Sequence, residues 1–260
     1  MTDVRIKRDQ PAEHVIRLTL ARPKKLNAFD QPMLDQLAEA LSTLEQDKAT
    51  RTVILAAEGG KAFCAGADIE TWSRLDPLDM WRDWIASGNR LFDRLARLRQ
   101  PVIAAIDGVA YGGGLELALC ADMRIATEQS RFALPETGIG TIPGWSGVRR
   151  LVKLIGLARA KSMVLTGAPV GAEQALASGL VSAVVEEKDL ESETLSLART
   201  IASRGPIATQ LAKAMLDQAA GDEPGHAIQG FASAVTAFSE DGKEGTASFK
   251  ERRKARFEGR

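Results

Sequence analysis

Two glutamates stand beside glycine-rich stretches in the middle of the sequence. Glu116 belongs to YGGGLELALC, residues 111–120, and Glu136 belongs to LPETGIGTIPG, residues 134–144. Glu116 has apolar neighbours on both sides, and a buried carboxylate is costly unless it has a partner or a task. Each acid alone has a plainer explanation, as a helix-start acid or a loop charge. Together they could remove one proton and deliver another, which is general acid–base catalysis.

The three glycines before Glu116 suggest a second chemical feature. They follow the strand-like run VIAAI, residues 102–106, and precede a helix that we predict from Leu115 to Cys120. Backbone N–H groups at such a helix start can hold a phosphate or a developing oxyanion. A second glycine stretch, FCAGADIE, could aim the N–H of Ala67 at the same oxygen. The glycine spacing does not match a dinucleotide fingerprint, and no P-loop motif is present.

The elements that must position these groups repeat in a fixed order of strand, glycine-containing loop and helix. Alternation predicts a half-buried strand at residues 15–20, and a continuous apolar run predicts a buried strand at 52–57. This order is typical of an α/β fold whose loops gather along one edge. From about Asp189 the pattern is helical. We therefore predict an α/β core over residues 1–203 and a helical region over 204–260.

The composition excludes several classes of function. The 260 residues include 34 basic and 34 acidic side chains, so no net field attracts nucleic acid or an anionic membrane. No apolar run is long enough to span a bilayer, and no secretory signal is evident. The cysteines, Cys64 and Cys120, lack the spacing of a metal site or a disulfide framework. We expect no metal, no nucleic-acid partner, no membrane partner and a cytoplasmic location.

Five sequence blocks, in order, resemble the crotonase superfamily, and most closely its enoyl-CoA hydratases. They are KAFCAGADIE, PVIAAIDGVAYGGGLELALCADMRIA, FALPETGIGTIPGWSGVRRL, LTGAPVGAEQALASGLVSAVV and SEDGKEGTASFKERRKARF. The resemblance runs from ARPKKLNAF, residues 21–29, to the end of the sequence. It implies an α/β spiral of ββα units with a C-terminal helical oligomerisation region. It also implies a homotrimer or a dimer of trimers.

The resemblance implies syn addition of water across the C2=C3 bond of a 2-enoyl-CoA thioester, a reaction of fatty acid metabolism. The backbone N–H groups of Ala67 and Gly113 would form an oxyanion hole for the thioester oxygen. Glu116 and Glu136 would hold one water molecule between them, and the sequence leaves open which is base and which is acid. Coenzyme A arrives as part of the acyl-CoA substrate, so the resemblance implies no separate cofactor.

Other positions match the family at its coenzyme A and acyl sites. The two positions in the C-terminal block, Phe249 and Arg252, could instead belong to a solvated helix face. The tryptophans are candidates for the acyl pocket. Trp145 stands where the hydratases commonly have a small residue, so it either shortens that pocket or only fills space. At helical spacing Trp81, Trp84 and Ile85 would share a core-facing stripe. The predicted coenzyme A and substrate positions are Lys24, Leu26, Ala65, Gly66, Ala67, Asp68, Ile69, Gly113, Phe249 and Arg252, and the predicted acyl-pocket positions are Trp84 and Trp145.

The alternatives to hydration are isomerisation, another crotonase-family reaction on an acyl-CoA, and a role without catalysis. Enoyl-CoA isomerases of this family generally need only the carboxylate aligned with Glu136, so the presence of Glu116 as well favours hydration. A non-enzymatic scaffold that binds coenzyme A or RNA is the alternative from another class. An isoelectric point of about 6.8 weighs against RNA binding, and the presence of both glutamates weighs against a lost activity.

Overall fold

The described strands form two sheets, and the chain alternates between them only in its middle part. The computed structural model describes residues 3–221 and 225–260. A six-stranded sheet has the order β1-β2-β3-β5-β7-β10 and a four-stranded sheet the order β4-β6-β8-β9. The strands are β1 (Ile6–Ala12), β2 (Val15–Leu20), β3 (Thr52–Ala57), β4 (Ala62–Cys64), β5 (Val102–Ile106), β6 (Val109–Tyr111), β7 (Met123–Thr127), β8 (Arg131–Ala133), β9 (Val170–Gly171) and β10 (Ala183–Val185).

Helical segments follow the strand pairs and complete a series of ββα units. The predicted fold class, an α/β spiral of ββα units, is confirmed. The helices are α1 (Gln31–Gln46), α2 (Ile69–Trp72), α3 (Pro77–Asp79), α4 (Ala86–Ala96), α5 (Gly113–Ala118), α6 (Gly147–Ile155), α7 (Leu157–Thr166), α8 (Ala172–Ser178), α9 (Leu190–Ala202), α10 (Pro206–Ala219), α11 (His226–Phe238) and α12 (Glu240–Lys250). The chain divides into two compact units, Met1–Pro206 and Ile207–Arg260. Among the described residues no helix has the length and apolar character needed to span a bilayer.

The central strands of the larger sheet are buried on both faces. Every residue of β5 is buried, as the uninterrupted apolar run VIAAI predicts for a covered parallel strand. One face of the sheet packs in a core that includes Leu37 and Leu41 of α1, and the other packs against Ala198 and Ala202 of α9. Asp30 caps α1 by accepting the N–H of Met33 with its side chain.

The smaller sheet brings three loops to one edge. Strands β4, β6 and β8 run parallel, with Cys64 paired to Ala110 and Tyr111 paired to Ala133. Because parallel strands end at the same edge, the segments that follow them leave the sheet side by side. Those segments carry Ala67, the glycines 112–114 and Glu136 respectively. The sheet therefore gathers the groups that the sequence separates.

Each of the three glycines before Glu116 faces a different protein group. A Cβ atom on Gly112 would lie 2.8 Å from Oε1 of Glu136, and one on Gly113 would lie 2.7 Å from Cζ3 of Trp145. A Cβ atom on Gly114 would overlap the carbonyl oxygen of Cys64. Gly112 also has a φ of +51°, which L side chains rarely adopt. The glycines thus allow close packing of the protein upon itself.

The helical segment that carries the tryptophans differs from the expected α-helix. Residues Met80–Ile85 form a π-helix between α3 and α4. The wider turn of a π-helix places residues three apart on more widely separated faces. Trp84 is 4% exposed whereas Trp81 is 65% exposed. The predicted core-facing stripe is therefore wrong for Trp81.

We predict that Gly114→Ala lowers the free energy of unfolding by about 3 kcal/mol, because the added methyl group meets backbone that cannot yield easily. Gly138→Ala is the matched control, since a Cβ atom at Gly138 has no neighbour within 4 Å among the residues that the structure describes. We expect the control to change stability by no more than about 0.5 kcal/mol. Urea unfolding measures both, and equal effects would contradict the packing argument.

Candidate active site

Two backbone N–H groups lie close together at the ends of β4 and β6. A Cβ atom built on Gly66 would lie 3.3 Å from the nitrogen of Gly113, and one built on Gly113 would lie 3.5 Å from the nitrogen of Ala67. Neither the N–H of Ala67 nor that of Gly113 donates a hydrogen bond to a turn or loop of the described residues. Two such donors can converge on one oxygen atom and stabilise negative charge on it.

The backbone around Ala67 explains why its N–H group is available. The N–H of Phe29 donates to the carbonyl of Gly66 at 2.8 Å, and the N–H of Asp68 donates to the carbonyl of Phe29 at 2.7 Å. These bonds form an isolated parallel bridge between Phe29 and Ala67. In this bridge Phe29 bonds to the residues on either side of Ala67, Gly66 and Asp68. The N–H of Ala67 itself therefore points away from Phe29. Gly66, with a φ of +108°, makes the turn.

Glu116 is a buried acid held by the start of another helix. Its side chain lies in the first turn of α5, which begins at Gly113 rather than at the predicted Leu115. Glu116 is 2% exposed, and its Oε1 accepts the N–H groups of Trp145 at 2.8 Å and Gly147 at 2.9 Å. Burial raises the pKa of Glu116, while these hydrogen bonds and the charge of Arg150 oppose the rise. The carboxylate form is thus partly compensated by the N-terminus of α6.

Helix α4 fixes the segment that holds Glu116. The side-chain amide of Asn89 donates to the carbonyl of Gly144 at 3.0 Å, and its oxygen accepts the hydroxyl of Ser146. Ser146 has a φ of +65°, a left-handed conformation that an external hydrogen bond helps to maintain. One turn further along α4, Asp93 pairs with Arg150 at 2.6 Å. Sequence reasoning missed Asn89 and Asp93, although their i, i+4 spacing places both on one helix face.

Glu136 lies against the glycine loop and comes from a later part of the sequence. It begins a 3₁₀ turn, Glu136–Ile139, directly after β8. Burial raises the pKa of Glu136 to about 7, and the charge of Glu116 contributes to the rise. Its Oε2 is buried and has no hydrogen-bond partner among the described residues. The predicted pair of acids therefore shares one site, and near neutral pH the pair can supply both a proton donor and a proton acceptor.

The first predicted coenzyme-binding loop lies beside the second. The carbonyl of Leu26 accepts the N–H of Ala65 at 2.9 Å. Lys24 and Leu26 are exposed next to this contact, and Ile69 is also exposed. The structure thus brings Lys24 and Leu26 to the segment 65–69, which includes Ala67. Their contact with a coenzyme stays a prediction.

Asp68, which the sequence assigned to substrate binding, has structural contacts. Its carboxylate is nearly buried, pairs with Arg22 at 2.8 Å and accepts the N–H of Glu70 at 3.1 Å. These bonds cap α2 and tie the two loops together. Burial works against ionisation of Asp68, but the partners outweigh it and lower its pKa. In this conformation the side chain of Asp68 acts on the shape of the loop.

The remaining predicted site residues fall into two places. Trp84 and Trp145 are both buried near the glycine loop, with ring centroids 5.4 Å apart. Phe249 and Arg252 belong to the second unit, where Phe249 is exposed and Arg252 has a φ of +51°. The proposed contact of Phe249 and Arg252 with coenzyme A stays a prediction.

The family model and the known proteins that are similar to this chain all have the word hydratase in their names or descriptions. A family model described as enoyl-CoA hydratase/isomerase matches residues 10–260. Crotonyl-CoA hydratase of Syntrophomonas wolfei is 36% identical over 94% of this chain and 95% of that protein. Short-chain-enoyl-CoA hydratase of Clostridium acetobutylicum is 38% identical over 77% of each chain. The crystal structure of enoyl-CoA hydratase from Bacillus anthracis, at 36% identity, matches with a TM-score of 0.82 over 99% of this chain and 100% of that chain.

The raised pKa of Glu136 predicts how stability depends on pH. Between the unperturbed pKa of 4.5 and about 7 the folded state binds more protons than the unfolded chain, so stability falls as pH rises through this window. Glu136→Gln removes this contribution. Between pH 4.5 and pH 8 we expect the free energy of unfolding to fall by about 1–2 kcal/mol less in the variant than in wild type. The expected difference is this small because the carboxyl group of Glu136 is only partly buried.

Urea unfolding across this pH range measures the effect. The control is Glu39→Gln, which changes an exposed acid on α1. We expect the control curve to run parallel to that of wild type. A Glu136→Gln curve that also runs parallel would contradict the raised pKa.

Proposed function

Because the chain belongs to the enoyl-CoA hydratase/isomerase family, we propose that it adds water across the C2=C3 bond of a 2-enoyl-CoA. The product is the 3-hydroxyacyl-CoA. The observation that supports this proposal most strongly is the placement of a buried acid, Glu116, and a partly buried acid, Glu136, next to two available backbone N–H donors. Hydration requires one proton removed from water, one delivered to carbon and temporary negative charge on the thioester oxygen.

The N–H groups of Ala67 and Gly113 receive the thioester oxygen in this proposal. When the water oxygen bonds to C3, the C2=C3 π electrons move toward the carbonyl and an enolate forms. The two donors stabilise that charge more strongly in the enolate than in the ground state, which lowers the barrier. Backbone donors held by strands β4 and β6 need little reorganisation during the reaction.

The environments of the two glutamates support different roles. Oε1 of Glu116 accepts two backbone N–H groups, which favours the carboxylate form, so we assign Glu116 as the base that takes a proton from water. Glu136 has a pKa raised to about 7 and carries a proton in a large fraction of molecules at neutral pH. We assign Glu136 as the acid that protonates C2. Both carboxyl groups act from the same side of the substrate, which gives syn addition.

Isomerisation of a 3-enoyl-CoA is the second candidate, because the matching family model describes hydratases and isomerases together. That reaction moves one proton between two carbons of the substrate. Glu136, with its pKa of about 7, could perform it alone. The buried and hydrogen-bonded Glu116 would then have no chemical step, so hydration accounts for more of the site.

Coenzyme A is the part of the substrate that the exposed loops would bind. The exposed ammonium group of Lys24 could pair with a phosphate of the coenzyme, and the segment 65–69 lies beside it. The family resemblance adds Phe249 and Arg252 as further proposed contacts of coenzyme A. No further cofactor is needed for the proposed chemistry, since every proton passes through Glu116, Glu136 or water.

We predict that Glu116→Gln and Glu136→Gln each lower kcat/KM for crotonyl-CoA by about 10²–10⁴-fold, because each amide can neither take nor give the required proton. Loss of the enoyl absorbance measures hydration. Glu39→Gln is the control and is expected to keep wild-type rates. Failure of wild type to hydrate crotonyl-CoA and longer or branched 2-enoyl-CoAs would reject hydration.

A 3-enoyl-CoA assay separates the two candidate functions. We expect wild type to convert 3-enoyl-CoA much more slowly than it hydrates 2-enoyl-CoA. Fast isomerisation that survives Glu116→Gln, together with no hydration, would favour the isomerase.

We further propose that the protein forms a homotrimer or a dimer of such trimers through its helical region. The second unit exposes large apolar side chains such as Phe231, Phe238 and Phe249. Exposed apolar groups of this size commonly mark an interface. Light scattering is expected to give three or six times the mass of one chain, and a monomer would contradict the proposal.

A further inference from the structure

The ring of Trp145 lies in an aromatic cluster directly behind the proposed active site. Trp145 is 2% exposed. The centroid of its ring lies 5.0 Å from that of Phe92, 5.4 Å from that of Trp84 and 5.8 Å from that of Phe29. Rings in such edge-to-face and tilted contacts are close-packed and leave little free volume. The space behind the glutamates is therefore filled by side chains.

Two glycines make room for this ring on opposite edges. A Cβ atom on Gly88 of α4 would overlap Nε1 of the indole, and a Cβ atom on Gly113 would lie 2.7 Å from Cζ3. The indole N–H is buried and has no acceptor among the described residues. Since an unpaired buried donor is unfavourable, hydrogen bonding does not explain the presence of Trp at this position. Its volume is the property that the surroundings accommodate.

The ring also has a defined position relative to the reacting atoms. Gly113, which the benzo edge contacts, supplies one of the proposed N–H donors for the thioester oxygen. The backbone N–H of Trp145 itself holds Oε1 of Glu116, the proposed base at C3. Trp145 is thus adjacent both to the proposed donor at the thioester oxygen and to the proposed base at C3.

We propose that Trp145 closes the acyl end of the site and restricts the substrate to short 2-enoyl-CoA thioesters, with four acyl carbons preferred. This inference rests on the proposed hydration activity. Trp145 acts as a specificity-determining residue, and Gly88 provides the space that allows the ring to stand against Gly113. The enclosing rings of Phe29, Phe92 and Trp84 prevent the indole from swinging aside for a longer chain.

The test is a chain-length series of 2-enoyl-CoA thioesters with four, six, eight and ten acyl carbons. We expect wild-type kcat/KM to fall at least about tenfold for each two carbons beyond four, because each added methylene meets the ring. Trp145→Ala removes the ring and keeps the backbone N–H that holds Glu116. We expect it to raise the ratio of ten-carbon to four-carbon kcat/KM by at least about 100-fold.

Matched variants separate chain-length selection from general damage. Trp81→Ala removes an exposed ring from the same helical segment and is expected to leave the ratio unchanged. Trp145→Phe, a smaller truncation, is expected to extend the preference to six carbons even if Trp145→Ala fails to fold. Gly88→Ala is expected to push the indole toward Gly113 and lower the four-carbon rate. Adding Trp145→Ala to that variant is expected to recover the lost rate.

The outcomes distinguish failure of this inference from failure of the proposed function. If wild type hydrates none of the thioesters, the hydratase proposal itself fails. If wild type hydrates four-carbon and ten-carbon thioesters equally well, the proposed function stands and the role of Trp145 is wrong. A folded Trp145→Ala or Trp145→Phe protein with the wild-type chain-length ratio would overturn the inference in the same way.

Discussion

The carboxylate of Glu116 depends on two backbone N–H groups that lie about 30 residues further along the chain, those of Trp145 and Gly147. A nearly buried acid without them would pay the full cost of desolvation. The segment that supplies the donors must therefore be rigid, and Asn89 holds it from α4. Gly147 has to be glycine for the same reason, because a Cβ atom there would overlap the side chain of Glu116. The position of one acid thus constrains three separate parts of the fold.

Close packing connects the proposed chemistry with the proposed choice of substrate. Trp145 supports Glu116 with its backbone and fills the space behind the site with its ring, so one residue contributes to both. Gly88 and Gly113 permit this by leaving out the side chains that would meet the ring. Interiors packed this tightly respond to a single added methyl group. Changes to the aromatic cluster are therefore transmitted to the glutamates unless the backbone at Trp145 stays in place.

Burial also provides the chemical difference between the acids. Both pKa values are raised by loss of water, but Glu116 receives hydrogen bonds that compensate its charge, whereas Glu136 has a buried oxygen without a partner in the part of the chain that the structure describes. The first environment favours a base and the second favours an acid. Their separation in the sequence is bridged by the parallel strands β6 and β8, whose ends lie side by side. The same sheet edge brings Ala67 to Gly113, so the proposed proton transfer and the proposed oxyanion stabilisation share one position.

The sequence by itself determined the α/β class and the buried strands, and it predicted that Glu116 and Glu136 act as a pair, because periodicity and motif spacing report on local backbone and on family. Only the tertiary structure decided that α5 begins at Gly113, that a π-helix separates Trp81 from Trp84, and that Asn89 holds the segment of Trp145. These features arise from packing between residues distant in the chain. No local pattern encodes such contacts, since helix winding and side-chain burial are settled only when the elements meet.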